Sequence, residues 1–245
     1  MQAIILAAGI GNRLGNQANN KPKSLLKFSG KSLLQRHIEL LFQYGIETVH
    51  IVTGYQHDTL MSHITNLSGD IRFIYNDRYT EGSLISLGCA KDILLNQPEF
   101  MLMDADVLYD KSILQRLIQS KHANCILIDQ NFIPGDEPVK VCINDNDQII
   151  EFRKLISSNL QFVKQGESVG FFKFNNLIGQ QLMARIEHYL SLQQYDTPYE
   201  EAIRDCLLDS PEQFAYEDVT GLAWIEIDFP EDMIRARDEV LPQID

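Results

Sequence analysis

The chain has 245 residues, 44% of them hydrophobic, and its 34 acidic and 21 basic side chains give a net charge of −13. An acidic surface repels nucleic acid and anionic membranes, so we expect no partner of either kind. The length and composition predict one α/β domain, 1–245, with a sizeable core.

Four cysteines are scattered along the chain without a C-x-x-C pair: Cys89, Cys125, Cys142 and Cys206. This spacing is typical of reduced, buried core residues, and it favours a cytoplasmic protein. The apolar stretch near Met1 is only about eight residues long and lacks a basic leader, so it predicts neither a signal peptide nor a membrane span.

The first predicted element is a central strand over 2–6, whose continuous apolar run is typical of a strand covered on both faces. It leads into a loop with three glycines, Gly9, Gly11 and Gly15. The first 38 residues contain six basic residues and no acidic residue, although the whole chain is acidic. A net-negative protein has therefore concentrated positive charge around a glycine loop.

This loop is predicted to cradle a polyphosphate. Glycine lets backbone N–H groups approach phosphate oxygens closely, and Arg13 and Lys23 would neutralise the phosphate charge. Pro22 fixes the backbone in front of Lys23. The glycine spacing matches neither G-x-G-x-x-G nor a Walker loop, which disfavours dinucleotide and P-loop binding. A tight strand-to-helix turn without a ligand is the alternative.

The next segments alternate between strand and helix. A helix begins after Ser32, which forms a capping-box pattern with Gln35, and it ends at Gly45. Further predicted strands cover 48–52, 71–75 and 100–103, and predicted helices cover 58–66 and 84–95. This alternation predicts a doubly wound, mainly parallel sheet, whose ligands bind beyond the carboxyl ends of the strands.

The pattern changes after residue 129. A turn over 134–138 precedes a predicted hairpin of strands 139–143 and 148–153, and another strand covers 168–174. Helices over 177–192 and 199–208, a short strand over 224–227 and a closing helix from Pro230 to Val240 complete the chain. These elements predict a mixed sheet in which residues near 130–215 form a lid or acceptor-binding excursion.

Two acidic pairs are the candidates for metal binding. Asp104 and Asp106 follow the strand over 100–103, and strand alternation directs Glu226 and Asp228 to one face of the last strand. Mg²⁺ prefers such carboxylates together with substrate phosphates, so Asp106 and Asp228 could share one ion if their strands are neighbours. The alternatives are a solvated acidic turn for the first pair and a helix N-cap for Asp228.

The glycine loop resembles a known signature. The sequence Leu-Ala-Ala-Gly-Ile-Gly-Asn-Arg-Leu over 6–14, followed by Lys-Pro-Lys over 21–23, resembles the motif of nucleotidyltransferases that make activated sugars and alcohols. Later segments are similar to the phosphocholine and phosphonate (2-aminoethylphosphonate) cytidylyltransferase branch of this MobA-like superfamily: 81–87, 138–141, 167–174, 199–202 and 224–228. The resemblance implies a Rossmann-like nucleotidyltransferase fold along nearly the whole chain.

The resemblance also implies roles for individual residues. The catalytic residues would be Arg13, Lys23, Asp106 and Asp228, with Mg²⁺ held by the two carboxylates. The residues expected around the nucleotide are Leu6, Ala8, Gly9, Gly11, Arg13, Lys23, Tyr55, Gly82, Ser83 and Asp104. The candidates for the acceptor are Lys140 and Lys154 near its phosphate or phosphonate and Glu167 and Glu200 near a cationic end. An exposed cross-strand charge is the alternative for Lys140.

The implied reaction transfers CMP from CTP to a small phosphorylated or phosphonated alcohol or amine, such as phosphocholine or 2-aminoethylphosphonate, and releases pyrophosphate. The acceptor oxygen is already an anion, so positioning and charge neutralisation supply the catalysis. Two alternatives stay open, a sugar-1-phosphate nucleotidyltransferase that uses another NTP and a nucleotide-sensing pseudoenzyme subunit. The sequence gives no indication of an oligomeric state.

Overall fold

The computed structural model describes residues 1–11, 13–14 and 21–244, so Gly15 of the predicted phosphate loop lies outside the described residues. The strands of the described chain are β1 (Gln2–Ala7), β2 (Lys27–Phe28), β3 (Lys31–Ser32), β4 (Thr48–Thr53), β5 (Asp70–Tyr75), β6 (Glu99–Asp104), β7 (Val107–Tyr109), β8 (Cys125–Asp129), β9 (Lys140–Ile143), β10 (Ile149–Arg153), β11 (Lys164–Asn175), β12 (Ala215–Asp218) and β13 (Trp224–Glu226). The α-helices of the same ranges are α1 (Leu33–Gln43), α2 (His57–Ile64), α3 (Ser83–Cys89), α4 (Lys91–Asn96), α5 (Lys111–Gln119), α6 (Asn176–Ser191), α7 (Tyr199–Asp209), α8 (Pro230–Arg235) and α9 (Leu241–Ile244). A π-helical turn, Ala236–Val240, joins α8 to α9.

Nine of the described strands form one mixed sheet, in which β1 lies between β4 and β6 and pairs with both in parallel. The order across the sheet is β10, β9, β11, β6, β1, β4, β5, and β8 pairs with both β11 and β12. The pairs β4–β5 and β8–β12 are also parallel, whereas β11 runs antiparallel to β6, β8 and β9. The predicted fold class, doubly wound and mainly parallel with a mixed part, is confirmed.

Helices cover both faces of the sheet because the side chains of its central strands alternate. Ile4 of β1 packs with residues of α3, α4, α6 and α7, whereas Ile5 packs with residues of α1, α2 and α5 on the opposite side. Both isoleucines are fully buried. This double covering explains why the first strand reads as an unbroken apolar run.

Strand β11 extends the sheet from the parallel strands into the predicted hairpin. Its carboxyl half pairs with β6 and β8, and its amino half pairs with β9, the antiparallel partner of β10. The register shifts near Gly170, whose φ of +77° is a conformation that residues with side chains rarely adopt. The hairpin β9–β10 is confirmed, while its role as a lid and the division of the chain into domains stay predictions.

Two helix predictions were wrong in detail. The single helix expected over 84–95 is divided at Ala90, where φ of −84° and ψ of 19° end α3. The bend lets α3 pack against α7 while α4 packs along α6. Ser32 accepts a hydrogen bond from the backbone N–H of Gln35 as predicted, but the Gln35 side chain contacts Glu39 instead. The reciprocal bond of a capping box is therefore missing.

The cysteines agree with their predicted place in the core. All four are free thiols, three of them buried and Cys89 half-buried. Among the described helices, none has the length and apolar character that a membrane crossing requires.

The fold brings several chain segments to one edge of the sheet. Because β1 pairs with β4 and β6, the segments that follow these three strands emerge side by side. Beyond the sheet, β13 pairs with β7, and the backbone N–H of Ile227 donates to the carbonyl of Asp106 at 3.0 Å. The last strand therefore lies next to Asp106, which is the condition for Asp106 and Asp228 to share an ion.

Candidate active site

An open cleft of about 470 Å³ lies at the carboxyl edge of β1 and β6. It contains eight of the ten residues expected near a nucleotide: Leu6, Ala8, Gly9, Gly11, Arg13, Lys23, Ser83 and Asp104. It also contains the two carboxylates expected to bind the metal, Asp106 and Asp228. The fold thus gathers side chains from both ends of the sequence around one cavity.

Lys23 lies among the carboxylates of this cleft. Its ammonium contacts the carboxylate of Asp228 and lies 3.3 Å from Oδ2 of Asp106. Burial alone would lower the pKa of Lys23, but the charges of Asp106 and Asp228 outweigh burial and raise it. A Cβ at Gly11, which has φ of +71°, would lie 2.7 Å from Cγ of Lys23, so glycine is needed where this lysine crosses the loop.

Arg13 joins the glycine loop to both sides of the cleft. Its guanidinium donates to Oε2 of Glu137 at 2.6 Å and lies 2.8 Å from Oδ1 of Asp228. The same group lies 5.0 Å from the ring centre of Phe229, a cation–π distance. Partial burial would lower the pKa of Arg13, but Glu137 and Asp228 raise it. Arg13 is 43% exposed and thus open to an anion entering the cleft.

Three carboxylates converge opposite these cations. Oxygens of Asp106, Glu226 and Asp228 all lie within 4.8 Å of one another. Crowding by protein atoms and the charges of Asp106 and Asp228 raise the pKa of Glu226 well above its usual range. Because the Glu226 side chain is exposed to the cleft, the charges of Asp106 and Asp228 contribute more to this raised pKa than burial does. Hard oxygen donors at this spacing fit a magnesium ion better than a softer metal.

The backbone around Asp228 is fixed by the start of α8. Asp232 accepts hydrogen bonds from the backbone N–H groups of Asp228 at 3.0 Å and Phe229 at 2.7 Å. The N-cap position of α8 belongs to Phe229, and the Asp228 side chain faces Lys23 and Arg13 instead. The helix-cap alternative for Asp228 is therefore wrong.

Asp104 is tied into the wall of the cleft. Its Oδ2 accepts a hydrogen bond from the hydroxyl of Tyr199 at 2.7 Å. Burial and the nearby charge of Asp106 raise the pKa of Asp104 well above its usual range. A Cβ at Gly170 would lie 2.3 Å from the same Oδ2, so only glycine fits beside this carboxyl. Whether Asp104 contacts a nucleotide stays a prediction.

Gly82 and Ser83 hold the chain in front of α7. The backbone N–H of Gly82 donates to the Tyr195 carbonyl at 2.6 Å, and Oγ of Ser83 accepts from the backbone N–H of Tyr199 at 3.0 Å. Gly82 does not line the cleft, and neither does Tyr55, whose backbone N–H donates to the Ala8 carbonyl at 3.1 Å. Their predicted nucleotide contacts stay predictions.

The four acceptor candidates are placed differently. Lys154 and Glu200 line the cleft, and Oε2 of Glu200 is buried with no hydrogen-bond partner among the described residues. The Lys140 ammonium instead donates to backbone carbonyls, those of Gly135 at 2.6 Å and Lys154 at 2.5 Å, and so secures the hairpin. Glu167 lies in a second chamber beside the cleft. Only two of the four thus share the cavity with the phosphate loop.

Sequence reasoning missed two groups of this site. Glu226 was considered with Asp228 but not placed in the metal set, although strand alternation directed it to the same face. Glu137 was considered only as one of several carboxylates of the 130–205 region that could face the acceptor's cationic end. It instead contacts Arg13 at 2.6 Å and Lys154 at 3.2 Å, and no sequence signal pairs residues so far apart.

A positive glycine loop at the carboxyl edge of parallel strands, facing clustered carboxylates, is typical of proteins that bind nucleotide phosphates. Residues 3–159, more than half of the chain, match the family model of the MobA-like NTP transferase domain. The chain belongs to this nucleotidyltransferase family.

Similar proteins were found by sequence and by structure. The chain is 26% identical to a CTP:phosphoglutamine cytidylyltransferase of Campylobacter jejuni, over 95% of this chain and 98% of that protein. It is 36% identical to a choline-phosphate cytidylyltransferase of Haemophilus influenzae, over 61% of each chain. The structure resembles the inositol-1-phosphate CTP transferase from T. maritima with a TM-score of 0.78 and 19% identity, over 99% of this chain and 95% of that one. The last likeness concerns the fold alone.

Proposed function

We propose that this protein transfers CMP from CTP to a small phosphorylated or phosphonated acceptor and releases pyrophosphate. The observation that carries the proposal is the meeting of Arg13 and Lys23 with Asp106, Glu226 and Asp228 in one open cleft. The Campylobacter jejuni and Haemophilus influenzae relatives described above are both named as cytidylyltransferases, which supports CTP as the nucleotide.

The two cations of the cleft bind the triphosphate. Arg13 binds the β- and γ-phosphates, and Lys23 binds the α-phosphate and the charge that develops on it in the transition state. In the structure these cations pair with Asp228, Asp106 and Glu137, so bound phosphates would replace carboxylate partners. The pairs hold both cations in place before the nucleotide arrives.

The carboxylates suit a divalent cation. Asp106 and Asp228, with Glu226 as a third donor, would hold Mg²⁺. A bound Mg²⁺ supplies charge neutralisation to phosphate oxygens. The acceptor oxygen is an anion at neutral pH and needs no general base, so this chain's residues act by positioning and by charge.

Lys154 is the cation best placed for the acceptor's phosphate. It lines the cleft opposite the glycine loop, and its ammonium lies 3.2 Å from Oε2 of Glu137, which also binds Arg13. Glu137 therefore links Arg13, which binds the triphosphate in this proposal, to Lys154, which binds the acceptor. This arrangement supports a position for the acceptor between Lys154 and the three carboxylates.

A pyrophosphate-release assay tests the proposal. The protein is incubated with Mg²⁺, each NTP in turn and a panel of phosphocholine, phosphoethanolamine, 2-aminoethylphosphonate, O-phospho-L-serine and glucose 1-phosphate. We expect release with CTP and at least one of the small acceptors. Release only with UTP or dTTP and glucose 1-phosphate would replace the proposal with sugar nucleotidyl transfer. Nucleotide binding without release for any pair would indicate a nucleotide sensor.

A further inference from the structure

A second chamber of about 230 Å³ adjoins the cleft. Glu226 and Asp228 line both cavities, so a molecule whose phosphate lies at these carboxylates can extend its other end into the chamber. The chamber combines acidic side chains with one arginine, Arg235. It is therefore open to the part of a bound acceptor that does not react.

Two charged groups of the chamber are without close partners. The Glu167 carboxylate accepts no hydrogen bond and forms no ion pair in the described part of the chain. Within the described ranges, the guanidinium of Arg235 makes only long ion pairs, 3.8 Å to Asp232 and 3.6 Å to Glu239. Asp129, by contrast, is fully used, because its two oxygens accept from the backbone N–H of Asn131 and from the Trp224 indole. Glu167 and Arg235 are therefore available to a ligand.

Aromatic rings form part of the chamber wall. The indole of Trp224 is fixed by a 2.8 Å hydrogen bond from Nε1 to Oδ2 of Asp129. Phe229 contributes its ring, over which Arg13 lies in the cleft, and Phe132 lines the same chamber. Rigid aromatic faces beside carboxylates favour an ammonium group and the short carbon chain that carries it.

We propose that the chamber recognises an acceptor whose far end is an α-amino acid, with the ammonium bound by Glu167 and the carboxylate bound by Arg235. The inference rests on the proposed function and deepens it by naming the acceptor class. A quaternary ammonium acceptor would use the carboxylates and rings but would be repelled by Arg235. An amino acid uses both charges, and a guanidinium binds a carboxylate through two parallel hydrogen bonds.

Matched acceptors test this assignment. O-Phospho-L-serine is phosphoethanolamine with one added carboxylate, and O-phospho-L-homoserine extends it by one methylene. We expect kcat/KM with CTP to be at least about tenfold higher for one of the two phosphoamino acids than for phosphoethanolamine, the scale of one charge-assisted contact. Equal or better use of phosphoethanolamine or phosphocholine would overturn the assignment and leave the cytidylyl transfer intact.

Variants of Arg235 give the second test. Arg235→Met should raise KM for the phosphoamino acid at least about tenfold while leaving KM for phosphoethanolamine within about twofold, because only the first has a carboxylate to lose. Arg235→Lys should recover part of the loss. Arg237→Met removes an exposed arginine two positions along the same segment and should change neither value. Equal losses for both acceptors in Arg235→Met would contradict a contact with the carboxylate.

Binding measurements keep the inference testable without turnover. Calorimetric titration with O-phospho-L-serine, O-phospho-L-homoserine and phosphoethanolamine compares the wild type with Arg235→Met. We expect the variant to lose affinity for a phosphoamino acid alone. If the wild type binds neither phosphoamino acid more tightly than phosphoethanolamine, the assignment fails. Absence of pyrophosphate with every acceptor would instead refute the proposed function.

Discussion

Lys23 and Asp228 are 205 positions apart in the sequence, and their side chains form an ion pair inside the cleft. The pair joins the phosphate loop to the end of the last strand. Because Asp228 also contacts Arg13, one carboxylate holds both cations of the proposed triphosphate site. The cations proposed to bind the triphosphate are thus oriented by the carboxylates proposed to hold Mg²⁺.

We therefore expect Lys23→Ala and Asp106→Ala each to lower the turnover number at least about a hundredfold, as for loss of a preorganised charge partner. Lys27→Ala removes an exposed lysine from the same basic stretch and should keep normal turnover. The measurement is the steady-state rate of pyrophosphate release, with circular dichroism to check folding. A near-normal rate in either site variant would remove that residue from the proposed machinery.

Gly11 offers a test of how the loop positions Lys23. In Gly11→Ala the new Cβ meets the Lys23 side chain at 2.7 Å, so the lysine must move, and we expect at least about a tenfold loss of kcat/KM for CTP. Gly30→Ala is the matched control, because Gly30 has a similar φ of +81° and open space around it. Both variants should lose about 1 kcal/mol of folding stability from the left-handed backbone. Equal activity losses would point to backbone strain instead of displacement of Lys23.

Glu137 pairs with two cations that are proposed to bind the two substrates, so we expect it to compete with CTP for Arg13. The hydrogen bond from Arg13 lowers the pKa of Glu137, which therefore stays charged and bound to Arg13 and Lys154. In Glu137→Gln we expect KM for CTP to fall about two- to fivefold, a modest effect because these groups are partly exposed. Asp136→Asn changes an exposed neighbour and should leave KM unaltered. A higher KM in Glu137→Gln would mean that Glu137 mainly orients Arg13.

Much of the fold could be predicted because its signals are local. The strand over 2–6 and the helix after Ser32 each carry a pattern fixed by neighbouring residues. Strands β7, β8 and β12 and helix α5 were not predicted, although Ile113, Leu114 and Leu117 of α5 recur at helical spacing and β8 is a continuous buried apolar run. The break at Ala90 depends on which helices α3 and α4 pack against, and sequence periodicity does not report that.

The residues of the candidate site also divide into those with a local sequence signal and those that only the fold brings together. The glycine loop and its cations are contiguous, so Arg13 and Lys23 were recognisable together. The proximity of Asp106 and Asp228 depends on the pairing of β13 with β7, which no local pattern encodes. Lys140 looked available because charge is visible in a sequence, whereas its bonds to backbone carbonyls are made only by the folded hairpin.

Glu167 gives a prediction about stability and pH. Burial and the charge of Asp129 raise the pKa of Glu167 from 4.5 to about 7; Asp232 also raises it, while Lys140 and Arg235 lower it. Between these two pH values the unfolded chain loses this proton but the folded chain keeps it. This group therefore weakens folding as the pH rises from about 4.5 to about 7.

Glu167→Gln removes that penalty. Its free energy of unfolding, relative to wild type, should rise by about 2 kcal/mol between pH 5 and pH 8, measured by urea denaturation at each pH. Glu231→Gln, which changes an exposed glutamate on α8, controls for the loss of one negative charge. A pH-independent difference in Glu167→Gln would show that Glu167 ionises as readily in the folded chain as in the unfolded one, and that the chamber is more hydrated than its packing indicates.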